Sequence, residues 1–384
     1  MSTDDRPLAG IVVVDLSQFL SGPYATLRLA DLGARVIKVE RPGVGDLCRQ
    51  LYLSDIEIGG DSTLFHAINR GKESIALNLK DAADIARLMK LVAKADVVIQ
   101  NYRPGVAERL GIDYPALKRV NPGIVAASIT GYGEAGPWTG RPGQDLLAQA
   151  RSGLTWMNGD EGQGPVPYGL AIADILAGSA AAQGILAGLV RCGLTGEGAH
   201  IQTSLLEVLV DYQFEVMTAY LNDGRRKPKR AAFRSANAYI PAPYGVYQTT
   251  DGFVAIAMTP VLKLAELLDL PALEAYADPK SWFTDRDEIK QIIGDRMATA
   301  SNAHWLAILE PADIWCSEVL DWPALLASEG FGVLDMLQTV TREDGVTIET
   351  TRSPLRFDGV RSNTPRAAPW IGEHSDRIAA EFAL

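Results

Sequence analysis

Four short runs of β-branched residues, separated by helical patterns, constrain what the first third of this chain can become. Gly10–Leu16 (GIVVVDL) reads as a buried strand, Ala34–Glu40 (ARVIKVE) as a second, Asp96–Gln100 (DVVIQ) as a third and Ile124–Ile129 as a fourth. Between the first two, Ser21-Gly22-Pro23 opens a helix that runs to Gly33, proline suiting the first helical position and glycine a left-handed C-terminal cap. Asp81–Ala95 has helical periodicity, with Leu88 and Leu91 among its apolar positions. Strands that alternate with helices pair in parallel, because each crossover helix carries the chain back over the sheet. The pattern therefore predicts an α/β fold, a parallel sheet with helices on both faces.

The texture changes near residue 224. Gly224–Arg234 (GRRKPKRAAFR) is basic, broken by proline and without an apolar face, and it reads as a linker. Pro243–Met258 reads as two strands joined by a turn at Thr250-Asp251-Gly252, with helical patterns following over Val261–Glu274 and Arg286–Ala300. From Ile348 to Leu384 the chain returns to strand, loop and helix. The expected organisation is a large domain beginning with residues 1–224, a basic linker over 225–234, a smaller α+β domain over 235–330 and a return segment over 331–384.

Composition narrows the function classes. The chain has 384 residues, a formal net charge of -11 and a pI of about 5.0. Such a balance argues against nucleic acid, and an anionic ligand would bind only where basic side chains cluster. The three cysteines, Cys48, Cys192 and Cys316, form no metal or redox spacing and fit a reduced, cytoplasmic protein. The first residues lack the basic opening and apolar run of a signal peptide, and the apolar stretch over Ile175–Val190 is too short to span a bilayer. The nearest approach to a dinucleotide fingerprint, Gly43-Val44-Gly45-Asp46-Leu47-Cys48, lacks its third glycine. There is no P-loop and no GxSxG elbow, and the four histidines do not pair at metal-ligand spacing. The chemistry falls to carboxylates, with no metal.

One carboxylate stands apart. From Gly162 to Val190 the only charged residue is Asp174, directly before a Gly/Ala-rich helical stretch. A lone carboxylate in apolar surroundings needs hydrogen-bond donors or its pKa rises. Asp174 is expected to cap that helix, where backbone N–H groups could also hold a developing oxyanion. Asp145, in GRPGQDLLAQARSGL, reads either as a second helix cap or as a supporting carboxylate near the same pocket.

Several longer blocks together resemble the class III, or formyl-CoA-transferase-like (CaiB-BaiF), CoA transferases, a family that also includes alpha-methylacyl-CoA racemase. They are LAGIVVVDLSQFLSGPYATLRLADLGARVIKVERPG, NRGKESIALNLK, ADVVIQNYRPGVAERLGI, NPGIVAASITGYGEAGP, GEGAHIQTSLLE and the closing PWIGEHSD. The resemblance covers nearly the whole chain. It implies a Rossmann-like large domain built from both chain ends, a small α+β domain and an interlocked homodimer. It also implies acyl-CoA as a substrate, with no permanently bound cofactor and no membrane. The family nucleophile, an aspartate in a G-x-x-x-x-D segment, falls on Asp174 in Gly169–Asp174. CoA contacts implied residue by residue are Phe19 on the pantetheine arm, Arg41 on phosphate or adenine, and Leu77 and Lys80 beside the adenine. Asn101, Tyr102 and Arg103 fall on the loop passing adenine and pantetheine, Arg109 on the diphosphate and Tyr132 along the pantetheine channel. Arginine forks suit these phosphates.

Two departures refine what the resemblance implies. The racemase branch carries a histidine where this chain has Gln144, and glutamine exchanges no proton near neutral pH. The formyl-CoA branch has a glycine run in its second domain and a glutamine in its first loop. Here Ser235–Pro243 (SANAYIPAP) has no such run and the loop position is Leu20, which speaks against oxalate and formate. The implied activity is CoA transfer between carboxylic acids through an aspartyl-acyl anhydride and an aspartyl-CoA thioester. Backbone amides near Asp174 and in the second-domain loop are the expected oxyanion donors. The alternatives are an acyl-CoA racemase or isomerase and a non-catalytic CoA-binding protein.

Overall fold

The computed structural model describes residues 5–364 and 366–384. The chain divides into two compact units. Unit 1 comprises Met1–Ala148, Leu170–Leu209 and Asp335–Leu384, and unit 2 comprises Gln149–Gly169 and Val210–Leu334.

Unit 1 is built on a six-stranded sheet. The chain forms β1 (Val12–Asp15), helix α1 (Ser21–Asp31) and β2 (Arg35–Glu40). A small hairpin follows, β3 (Glu57–Ile58) and β4 (Asp61–Ser62), and then α2 (Thr63–Asn69) and β5 (Glu73–Ala76). Next come α3 (Ala82–Val92), β6 (Val97–Gln100), α4 (Val106–Leu110), α5 (Tyr114–Val120) and β7 (Val125–Thr130). Helices α6 (Asp145–Ser152) and α7 (Ile172–Thr195) precede β8 (Ala199–Ser204). The spatial order is β5-β2-β1-β6-β7-β8, and every neighbouring pair is parallel. This is the order of a doubly wound α/β sheet, as the alternating pattern predicts. The chain winds outward one way from β1 and then restarts at β6, so the loops leaving β1 and β6 diverge and open a crevice at the sheet's carboxyl edge.

The two sheet faces are covered differently. On one, Val14, Ile37, Ile75, Val98 and Ala126 meet Leu88, Leu91 and Val92 of α3, with Ile378 and Phe382 from the far C-terminus. Helix α7 packs on α1 and against β7 and β8. Its small residues explain the fit: a Cβ at Gly178 would come within 2.5 Å of the Ser21 carbonyl, and one at Gly188 within 2.7 Å of Val125. At 24 residues, α7 is long and apolar enough to cross a membrane, contrary to the sequence expectation. Ala173, Ala177, Ala181 and Ile185 are nevertheless fully buried, so this face serves as core.

The C-terminal motif closes the sheet's edge. Strand β5 is an edge strand, and its outward amides at Ser74 and Ala76 donate to His374 Nδ1 (3.3 Å) and Ser375 Oγ (3.1 Å). The His374 amide returns a bond to the Ser74 carbonyl (3.0 Å). Side chains thus stand in for a neighbouring strand and satisfy an edge that would otherwise invite pairing.

Unit 2 holds an antiparallel sheet of β9 (Gly245–Gln248), β10 (Phe253–Ile256) and β11 (Cys316–Glu318), with Tyr247, Leu264, Ile293 and Trp305 in its core. The helix expected over 261–274 stops at Leu267, because Asp269 turns into the left-handed region (φ of 54°) and the Leu270 N–H closes back on the Ala265 carbonyl (2.8 Å), and a 3-10 turn follows from Pro271. The expected boundaries also move. Residues 149–169 and 210–224 group with unit 2. The basic run at 225–234 is not a free linker: Arg230 is buried, and its guanidinium donates to the carbonyls of Asn158, Gln163 and Gly164.

Candidate active site

The crevice between β1 and β6 is tied together by one amide. Asn101, the first residue after β6, accepts from the Gln18 N–H (2.9 Å) and donates to the Gln18 carbonyl (2.7 Å). The first loop is thereby pinned to the second. Phe19 follows in the left-handed region, with φ of 61°, and is 46% exposed. A bulky side chain there is strained, and such strain persists where surrounding bonds hold it. Here the Phe19 N–H donates to Asp46 Oδ1 (3.1 Å), and Asp46 is ion-paired with Lys38 (2.8 Å).

Beneath this loop lies a buried ionic cluster. Asp15, at the end of β1, pairs with Lys72 (3.1 Å) and accepts from the Ser17 N–H (2.9 Å), the Ser17 hydroxyl and Thr26 Oγ1 (2.6 Å). Lys38 Nζ donates to the Ser17 carbonyl (2.8 Å). Burial opposes ionisation at Asp15, but Lys72 and Lys38 with these hydrogen bonds hold its carboxyl well below the ordinary range. The sequence reading missed this cluster. Its trace was a lysine inside the apolar run ARVIKVE and an aspartate ending GIVVVD, charges where both faces should be dry.

Asp174 stands in the first turn of α7, but it is not the cap. The helix begins at Ile172, and its N-cap, Ala171, supplies no side-chain bond. The missing cap comes from elsewhere: Asp145 Oδ2 accepts the Asp174 N–H at 3.1 Å. Asp145 does not cap α6 either. It is that helix's first residue, and the Gln144 side chain accepts from the Leu146 N–H (3.1 Å) in its stead. The Asp174 carboxyl is partly buried, and the Ser21 hydroxyl at the start of α1 is near enough to favour its ionised form. Burial, then the nearby Asp145 charge, push its pKa up to about 7, against the lowering pull of Ser21.

The other predicted residues lie along and beyond the sheet's carboxyl edge. Arg41 is exposed just after β2, and Leu77 is buried just after β5. Tyr102 packs against the core below the crevice, and burial raises its phenol to about 12. Arg103, Lys80 and Arg109 are exposed, on the loop after β6, the loop after β5 and α4. Tyr132 is buried, donating to the Pro142 carbonyl (3.2 Å) with its ring edge-on to Trp138. Gln144 is exposed. The fold thus brings Asn101 to the start of α1, at Ser21 (3.4 Å), and Asp145 to Asp174 (3.1 Å), with the Ser21 carbonyl packed against Gly178 of α7. Tyr132 lies in the loop between β7 and α6, and Gln144 ends that loop directly before Asp145.

Known proteins place this fold. CoA-transferase family III matches residues 8–375, and the chain belongs to that family. It is an enzyme that transfers CoA between carboxylic acids. It is 32% identical over 382 residues to the human succinyl-CoA:glutarate CoA-transferase, covering 98% of this chain and 86% of the relative. It is 34% identical over 385 residues to the acetyl-CoA:oxalate CoA-transferase of Acetobacter aceti, covering 98% and 96%. Among solved structures, a CaiB/BaiF family protein from Brucella suis superposes with a TM-score of 0.83 at 30% identity, covering 98% of this chain and 99% of that one.

Proposed function

We propose that the chain transfers CoA from an acyl-CoA to a second carboxylic acid by covalent chemistry at Asp174. The observation that carries this reading is a partly buried carboxyl in the first turn of α7, its amide held by Asp145 from another helix. The Asp174 carboxylate attacks the donor thioester carbonyl and expels CoA thiolate, leaving a mixed anhydride. The thiolate then attacks the aspartyl carbonyl and releases the donor acid. The acceptor carboxylate reverses the sequence, leaving as the new thioester and freeing Asp174. A carboxylate is a weak nucleophile, so the rate depends on positioning and on oxyanion donors.

CoA lies along the carboxyl edge in this reading. Arg41, Lys80, Arg103 and Arg109 supply cations for its phosphates, and Phe19, Leu77, Asn101, Tyr102 and Tyr132 flank the adenine and pantetheine. Succinyl-CoA is the first donor to test and dicarboxylic acids the first acceptors, following the human relative. Racemisation is disfavoured because the Gln144 amide carries no exchangeable catalytic proton. The enzyme works as an interlocked homodimer in the cytoplasm. Exposed apolar side chains support self-association, Leu194 at 82%, Trp322 at 77% and Phe214 at 70% among them, and the three thiols are free.

Mass spectrometry tests the mechanism. Incubation with succinyl-CoA and no acceptor yields an adduct on the peptide carrying Asp174. Unmodified enzyme under trapping conditions that turns over normally with acceptor overturns it.

A further inference from the structure

Strand β8 ends the sheet, and its residues alternate between two faces. Ala199 and Ile201 lie against Gly188 and Gly184 of α7. His200 therefore points to the opposite face, where its ring stacks on Tyr114 of α5 (centroids 5.0 Å apart, planes at 17°). Its Nε2 lies 3.0 Å from Ser128 Oγ on β7. Ser128 is buried and in register with Gln100, the last residue of β6, whose Nε2 donates to the same hydroxyl (2.9 Å). The other end of the Gln100 amide turns back on its own chain, Oε1 accepting from the Tyr102 N–H (2.6 Å). Asn101, between them, holds both backbone groups of Gln18.

The Tyr102 N–H sets the direction of every proton in this chain of bonds. A backbone N–H can only donate, so Oε1 of Gln100 faces Tyr102 and Nε2 faces Ser128. Ser128 Oγ accepts there, and its own proton has one other partner, His200 Nε2. That nitrogen is therefore bare, and the ring is neutral with its proton on Nδ1. A second proton on the ring would set Nε2–H against Ser128 and leave the Ser128 proton with no acceptor among the described residues.

We propose that His200 is a positioning residue for CoA: through Ser128 and Gln100 it fixes the loop Asn101–Arg103, which grips CoA more tightly when His200 is neutral. The proposal rests on the reading of this loop as a CoA contact. Desolvation sets the pKa of His200 below the ordinary histidine value, against the pull of Glu134 after β7, Asp113 before α5 and Glu108 of α4. Of the nearby cations, Arg103 lines the same small cavity as His200, and Lys118 lies over the Tyr114 ring (5.9 Å). The relay is thus intact at neutral pH and lost in mild acid. His200 is exposed on an edge strand and takes that proton from solvent.

The test is CoA affinity, measured by calorimetry from about pH 8 to about pH 5.5. CoA itself is the probe, so no acyl chemistry at Asp174 enters. His200→Phe keeps the ring stack and removes the acceptor. At about pH 8, His200→Phe and Ser128→Ala each bind CoA about two- to tenfold more weakly than the parent, and the gap closes in acid as protonation breaks the parent's relay. By reciprocity, bound CoA lowers the pKa of His200, read from its ring-proton resonances among those of four histidines. Gln100→Glu reverses the chain. Both carboxylate oxygens accept, Ser128 donates to one of them, and its free lone pair takes the His200 Nε2 proton. The pKa of His200 then rises, and CoA affinity no longer falls as the ring is protonated. A His200→Phe affinity equal to the parent's at about pH 8 overturns the relay. So does a His200 titration that neither CoA nor Gln100→Glu moves. An Asn101→Ala variant that binds CoA as the parent does overturns the loop as a CoA contact instead.

Discussion

The Asp145 carboxylate caps the amide of Asp174 from a different helix, at 3.1 Å. A single contact therefore does two things: it supplies the hydrogen bond that the start of α7 lacks, and it sets a negative charge beside the carboxyl that must ionise to attack. Burial and this charge hold Asp174 near 7, where acid and carboxylate coexist at neutral pH.

The two effects separate in Asp145→Asn. The amide oxygen still accepts from the Asp174 N–H, but the charge is gone. The acidic limb of kcat/KM, set by the free enzyme, is expected near pH 7 in the parent enzyme and lower in the variant. Asp145→Ala removes the cap as well and costs about 1 kcal/mol of stability. An acidic limb that stays in place in Asp145→Asn refutes the assignment of that limb to Asp174.

Asp174→Asn abolishes transfer by orders of magnitude if the residue is the nucleophile. Its effect on stability has a definite sign. The folded pKa is raised above the unfolded one, so the carboxyl's favourable contribution is full below about 4 and lost as pH rises through about 7. The parent protein therefore carries a destabilising charge at pH 8 that asparagine removes. Thermal unfolding should show the variant above the parent at pH 8, with the gap closing toward about pH 4. A variant less stable than the parent at pH 8 would mean that the carboxylate is held by stronger donors than those described.

Lys72 is the prop under the first loop. Lys72→Met leaves Asp15 buried beside Thr26 and Ser17 with its closest cation gone, and breaking such a pair costs about 3–5 kcal/mol. Asp15→Asn combined with Lys72→Met removes both charges and recovers part of that loss. Urea unfolding of the two variants measures the difference. Equal stability of the single and double variants would show that Lys38 alone suffices for Asp15.

The legibility of the chain follows the range of its interactions. Strands β1, β2, β6 and β7 declare themselves because both faces are buried and β-branched. Strand β5 (ESIA) is short and polar at its start, and β8 (AHIQTS) alternates with residues that also suit loops. The edge of β5 is satisfied by residues some 300 positions away, which no local window contains. Asp174 is legible from its isolation, yet the start of α7 is misplaced because its cap, Asp145, lies 29 residues earlier. Ser21 before Gly22-Pro23 reads only as a helix opening, since the Asn101 amide that donates to its hydroxyl lies 80 residues on.

His374 makes the edge of the sheet sensitive to acid. Its Nδ1 accepts from the Ser74 N–H, which requires the neutral ring protonated on Nε2. Burial lowers its pKa; Glu373 and Glu73 oppose this, while Arg377 and Arg366 assist it. With the folded pKa below the unfolded value of about 6.5, the neutral ring contributes stability that is full above that value and lost as pH falls through the lower folded pKa. Protonation then sets a ring N–H against the Ser74 N–H, and the pairing of β5 with residues 372–375 gives way. Hydrogen exchange should show the Ser74 and Ala76 amides losing protection in mild acid while the β1 amides, in the middle of the sheet, keep theirs. His374→Asn retains an acceptor near Nδ1 but does not titrate, so its β5 protection stays level across the same range. His374→Ala lacks the acceptor at every pH and exchanges fast throughout. If His374→Asn loses protection in acid just as the parent does, another group governs the edge and the histidine is only a spacer.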